Sequence, residues 1–134
     1  MTANTNPSPL GQWAELVGRL LLALIFLLSG VGKIGAYTAT AGYMASVGVP
    51  GALLPLAIAA EIIGALAIIV GWKVRIVSLV LGAFTLVTGF LFHSNFGDQV
   101  QMIMFMKNLS ITGAFLILAA RGAGSFSLDA RVAK

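Results

Sequence analysis

Four apolar stretches, each close to twenty residues long and almost free of charge, decide what this chain can fold into. About 20 apolar residues in helical conformation cross the ~30 Å hydrocarbon core of a bilayer. Inside lipid every backbone polar group must be satisfied within the segment, so such stretches become helices. The pattern predicts spans at about 13–34, 52–71, 74–92 and 102–120. The first has no charge between Arg19 and Lys33, the second carries only Glu61, the third is uncharged after Arg75, and the fourth carries only Lys107. The expected fold is all-α, an integral membrane four-helix bundle. Only 9% of the 134 residues are charged, against about 25% in soluble domains. With a mean hydropathy of +1.01, water is the wrong solvent for most of this chain.

The segments between the spans complete the outline. Residues 1–12 read as a flexible polar tail, with no positive n-region or cleavage site of a signal peptide. Between spans one and two, GAYTATAGYMASVGVPG predicts a short interfacial helix carrying Tyr37, Tyr43 and Met44. Gly48, Pro50 and Gly51 end it, and Pro55 falls in the first turn of span two, where proline is tolerated. Gly71-Trp72-Lys73-Val74-Arg75 is a tight turn that makes spans two and three antiparallel neighbours. Residues 122–134 read as a loose polar C-terminal tail.

Charge adds orientation. The net charge is +4, but the cations are scattered and form no basic run, which excludes nucleic acid as a partner. If both termini are cytoplasmic, Arg19, Lys73, Arg75, Arg121, Arg131 and Lys134 lie inside and Lys33 and Lys107 outside. The excess of inside cations favours that orientation.

Several chemistries are removed by inventory. With no cysteine there is no disulfide, thiolate nucleophile, zinc–thiolate site or CxxC pair. One histidine cannot supply bis-histidine haem ligation, and a pair of His93 with Met102 or Met104 is set aside. No metal set and no nucleophile–base constellation is readable, so no catalytic residue is assigned and no cofactor is predicted. Gly30-Val-Gly-Lys-Ile-Gly35 matches the dinucleotide fingerprint, but it closes a hydrophobic helix instead of following a strand.

The candidate site residues are the polar groups at membrane depth. Glu61 lies midway along span two, where a charge costs about 2.5–3.5 kcal/mol on insertion scales. It is expected to face the bundle, as a proton or ligand site or as a polar clamp between helices. Ala57, Gly64 and Ala65 leave room for a neighbouring helix. Span one places Arg19, Ala23, Phe26, Gly30 and Lys33 on one stripe. Lys33 is expected to snorkel to the outer interface, and for Arg19 snorkelling and an inward role are evenly weighed. Lys107 and Asn108 lie about one and a half turns into span four, and Lys107 is closest in depth to Glu61. Side chains lean toward a helix's N-terminus, so Glu61 is expected to pair with Lys107, or bond to Asn108, ahead of Arg19. His93 ends span three as an interfacial residue or as a pH-sensitive lining group.

The ordered segments RLLLALIFLLSGVGKIG, YMASVGVPG, AEIIGALAIIVGWKVR and FMKNLSITGAFLILAARGAGSFSLD resemble the DoxX family over about residues 14–129. The resemblance implies a small four-helix protein of a prokaryotic plasma (inner) membrane. It also implies recurrent polar positions at Arg19, Lys33, Glu61, Lys107 and Asn108. Named members are linked to redox complexes, including a thiosulfate:quinone oxidoreductase subunit and a membrane partner of oxidative-stress enzymes. Three functions are therefore carried forward: first a cofactor-free membrane subunit or anchor for a redox or stress-related complex, then a binding module for a quinone or other small amphiphile in the outer half of the bundle. A proton-coupled carrier comes last, because no inverted repeat or interrupted helix pair is evident. Candidate partners are the lipid bilayer, peripheral or membrane redox proteins, and further copies of the chain as a homo-oligomer.

Overall fold

A computed structural model describes residues 7–133, so the first six residues of the predicted N-terminal tail fall outside the described residues. Ser8 opens the first helix: its hydroxyl accepts from the Gly11 amide at 3.1 Å, and Pro9 occupies the first turn. Both are favoured at a helix start, one as a cap and one because its missing N–H needs no partner there. Helix α1 (Pro9–Gly35) therefore begins earlier than the apolar pattern suggests, and residues 9–12 belong to it rather than to a tail.

The remaining elements follow the predicted order. Helix α2 (Tyr37–Ser46) is the expected short helix. A single 3-10 turn (Gly51–Leu53) leads into α3 (Leu54–Val70), with Pro55 in its first turn. Gly71, with φ +78, ends α3 in the left-handed region that glycine adopts without strain. Helix α4 (Val74–Phe92) has the predicted limits. Helix α5 (Gln99–Arg121) starts three residues before the expected span, because the Asp98 side chain accepts from the amides of Val100 and Gln101. Helix α6 (Leu128–Val132) is short and follows a Ser127 cap.

Four of these helices are long and apolar enough to cross a membrane. They alternate in direction and close into a ring. Helix α1 packs on α3, α3 on α4, and α4 on α5, while the Phe26 and Phe115 rings, 5.4 Å apart, join α5 back to α1. One end of the bundle holds the α3–α4 turn and the segment after Arg121; the other holds α2 and the α4–α5 loop. Ala23, Ala65, Ile68, Leu81 and Phe115 form the shared core.

Burial is inverted relative to a soluble protein. Leu21, Leu28, Leu56, Ile63, Ile76, Val80, Ile103 and Ile117 are exposed, whereas Arg19, Glu61, Ser78, Thr85 and Asn108 are buried. Apolar side chains outside and polar groups inside are the arrangement that lipid selects.

The segment after Arg121 departs from expectation. It is not loose: the Asp129 carboxylate accepts from the Lys73 and Val74 amides at 2.7 and 2.9 Å, capping α4, and the Asp129 amide donates to the Gly71 carbonyl at 2.9 Å. Arg75 in turn donates to the carbonyls of Ala119, Ala120 and Arg121, which end α5.

Candidate functional site

A cavity of about 270 Å³ lies in the half of the bundle toward α2, with all four long helices and α2 contributing to its wall. Phe26, Leu54, Phe84, Phe92 and Ile111 make most of its wall apolar. Helix α2 contributes Thr40, Tyr43 and Met44, and Tyr43 stacks on Phe92 with ring centroids 5.7 Å apart. The polar lining includes Ser29, Lys33, Glu61, Thr85, Thr88, His93, Lys107 and Asn108.

Glu61 is buried on the inner side of α3, as the energetic argument requires. Its partner is not Lys107. Lys33 Nζ donates to Glu61 Oε1 at 2.7 Å and to Ser29 Oγ at 2.6 Å. This is the one ion pair among the described residues. Lys33 therefore does not snorkel outward. The direction of helix α1 explains why: its N-terminus lies at the opposite end of the bundle, so the Lys33 side chain leans inward, toward the level of Glu61. Glu61, on the antiparallel α3, leans outward to meet it. The same lean that raised Lys107 as a candidate applies with greater force to Lys33. Ser29, one turn before Lys33 on the same face, is the third member of the cluster and was legible as an i, i+4 neighbour.

Gly30 permits the meeting. A Cβ at this position would stand 2.6 Å from Ile62 Cγ1 and 3.2 Å from Glu61 Cβ, so only a bare backbone lets α1 approach the helix that carries the carboxylate. Gly64 plays its part on another side, against Leu81 of α4, where a Cβ would fall 2.8 Å from Leu81 Cδ2. The small residues around Glu61 thus serve two neighbouring helices rather than the single partner that was expected.

Lys107 and Asn108 diverge. Lys107 is exposed along one edge of the cavity, with Met104 Sδ at 3.6 Å as its hydrogen-bond partner. Asn108 faces inward and donates from Nδ2 to the Thr85 carbonyl on α4 at 3.1 Å. Neighbouring positions on a helix point about 100° apart, so only one of the two faces α4. His93 lines the cavity near its α2 end, with Nδ1 3.0 Å from Gln101 Oε1.

Arg19 is not part of this site. It is buried at the opposite end, where its guanidinium donates to the Phe126 carbonyl. A Cβ on Gly71 would collide with both Arg19 and Ser127, which places Arg19 level with the α3–α4 turn. At the same end Trp13 packs on Phe126, with ring centroids 5.1 Å apart. Arg19 holds the end of the bundle together and stays clear of the Glu61 cavity.

Two features give the cavity chemical character. The ion pair supplies a fixed dipole at its polar wall, and Glu61 Oε2 is buried there without a hydrogen-bond partner among the described residues. A buried carboxylate oxygen left unpaired is costly. No group of three His, Cys, Asp or Glu side chains converges to hold a metal ion among the described residues.

Comparison with known proteins agrees with this architecture. The DoxX family model matches residues 14–94. The chain is 50% identical over 114 residues to the inner membrane protein YqjF of Escherichia coli strain K12, covering 85% of this chain and 88% of that protein. It is 38% identical over 123 residues to the inner membrane protein YphA of the same strain, covering 87% and 88%. No solved structure gives a significant match. With four apolar helices closed around a polar interior, the chain belongs to the DoxX family and is a multi-pass inner membrane protein.

Proposed function

We propose that this protein is a binding module for a small amphiphile of the quinone class, held in the cavity toward α2 with its polar head at Glu61 and Lys33. The observation that carries the reading is the unpaired Glu61 Oε2, buried in a wall that is otherwise largely apolar. In the quinol form a ring hydroxyl donates to that oxygen, and in the quinone form a ring carbonyl accepts from Lys33. At about 270 Å³ the cavity is slightly below the range of ligand sites, about 300–1,000 Å³. It suits a single ring, with any hydrocarbon tail left to lipid. The anchor for redox enzymes, favoured by composition, draws on no comparable arrangement of side chains.

The orientation proposed with this reading has both termini in the cytoplasm, supported by the cation bias. The cavity then lies toward the outer leaflet.

The test uses protein purified in mild detergent. Organic extraction and chromatography of the wild type should recover a quinone or quinol in near-stoichiometric amount, and a short-chain quinol should bind saturably. Glu61→Gln, folded by thermal melt, should bind at least about tenfold more weakly, the scale of one hydrogen bond to a charged group. A folded wild type that retains neither quinone nor quinol and does not bind the quinol would reject the proposal. A stoichiometric protein partner recovered instead would favour the anchor.

A further inference from the structure

We infer a second binding site, independent of the cavity, for the phosphate of an anionic phospholipid between Lys73, Arg75 and Arg121 at the opposite end of the bundle. The three cations line one open concavity, whose floor is the Gly122–Gly124 segment. Arg75 is held in place by its bonds to the carbonyls of Ala119, Ala120 and Arg121. A guanidinium has five N–H donors, so Arg75 keeps two for a ligand. Lys73 rests over the Trp72 ring, with Nζ 5.1 Å from its centroid, and hydrogen-bonds to no protein group among the described residues.

The positive charge of this patch is only partly neutralised from within the described residues. The chain has four acidic side chains. Glu61 is taken by Lys33 and Asp98 caps α5 at the far end, while Asp129 lines the same concavity, bonded to the Lys73 and Val74 amides, and offsets one of the three positive charges. Glu15 lies against Gly124, and no carboxylate is within ion-pair distance of Lys73, Arg75 or Arg121. A bound anion would complete the cluster.

Position selects lipid as its source. Helices α3 and α4 both span the membrane and are joined by only three residues, Gly71 to Lys73. The turn must therefore lie at headgroup depth, and exposed Trp72 suits that interface. Phospholipid phosphates are resident there, and basic pockets at the ends of spanning helices bind anionic headgroups.

The experiment is native mass spectrometry of the full chain in mild detergent, with phosphatidylglycerol and phosphatidylcholine of matched acyl chains. The wild type should retain phosphatidylglycerol in preference. Lys73→Gln/Arg121→Gln should lower that retention by at least about tenfold, since each interfacial cation contributes roughly fivefold or more. Lys73→Arg/Arg121→Lys, which keeps the charge, should preserve it. Equal retention of the two lipids by the wild type would overturn the inference whether or not the glutamine variant folds, and so would unchanged retention in a folded glutamine variant. Millimolar inorganic phosphate that displaces phosphatidylglycerol completely would assign the site to a free anion and likewise overturn the lipid assignment.

Discussion

Lys33 Nζ lies 2.7 Å from Glu61 Oε1, tying the last turn of α1 to the middle of α3 across the polar wall of the cavity. The carboxylate is almost wholly enclosed, at 4% side-chain exposure, while the lysine keeps 27%. Lys33→Met strands the buried carboxylate and should destabilise the protein by about 1.5–3 kcal/mol, the scale of a charged hydrogen bond. Lys33→Met/Glu61→Leu should recover part of that loss. Thermal melts of both single variants and the double in detergent measure the coupling; strictly additive losses would contradict the pairing.

Lys107→Met serves as the contrast. Its ammonium meets only a thioether, so the change in stability should stay within about 0.5 kcal/mol. A loss as large as that of Lys33→Met would mean that Lys107 is the true partner of Glu61.

The glycines of the pseudo-fingerprint should separate. Gly32 has open space where a Cβ would go, so Gly32→Ala should be neutral or stabilising by up to ~1 kcal/mol. Gly30→Ala drives a methyl into Ile62 and should cost about 1–3 kcal/mol. Equal melting temperatures for the two variants would refute the close approach of α1 and α3.

Asp129 caps a helix more than fifty residues away in sequence. Asp129→Ala should cost about 0.5–2 kcal/mol, and Asp129→Asn less, because one acceptor oxygen remains. Limited proteolysis should cut between 122 and 133 faster in the alanine variant. Unchanged protection there would show that the contacts around Arg19 and Arg75 hold the segment without this cap.

Asn108→Ala removes a buried interhelical bond, but the Thr85 carbonyl keeps the Thr88 hydroxyl at 3.0 Å. The expected loss is therefore small, about 0.6 kcal/mol, the average for such bonds between membrane helices. A melt showing a loss beyond ~2 kcal/mol would place Asn108 in a larger polar network than the one described.

Orientation is open to direct measurement. Reporter fusions at residue 134 and within 94–101 should report opposite sides, the former cytoplasmic. Activity of a periplasm-only reporter at residue 134 would reverse the proposed topology and turn the cavity toward the inner leaflet.

The amino-acid sequence alone determined the four spans, their alternating directions, the short helix between the first two and the inward position of Glu61. These depend on length, hydropathy and the cost of a charge in hydrocarbon, all of which act locally along one helix. The largest shifts in the ends of the spanning helices came where a cap overrode the apolar pattern, at Ser8 and Asp98. What the tertiary structure decided was which polar groups meet. Lys33 and Lys107 are both cations near the α2 end, and only the rotation and relative height of α1 and α5 against α3 separate partner from bystander. Those are set by side-chain packing, through contacts such as Gly30 on Ile62 and Phe26 on Phe115. The segment after Arg121 looked loose for the same reason: its stabilising groups, the Gly71 carbonyl, the Lys73 amide and the Arg19 guanidinium, come from distant parts of the chain and converge only once the helices have packed.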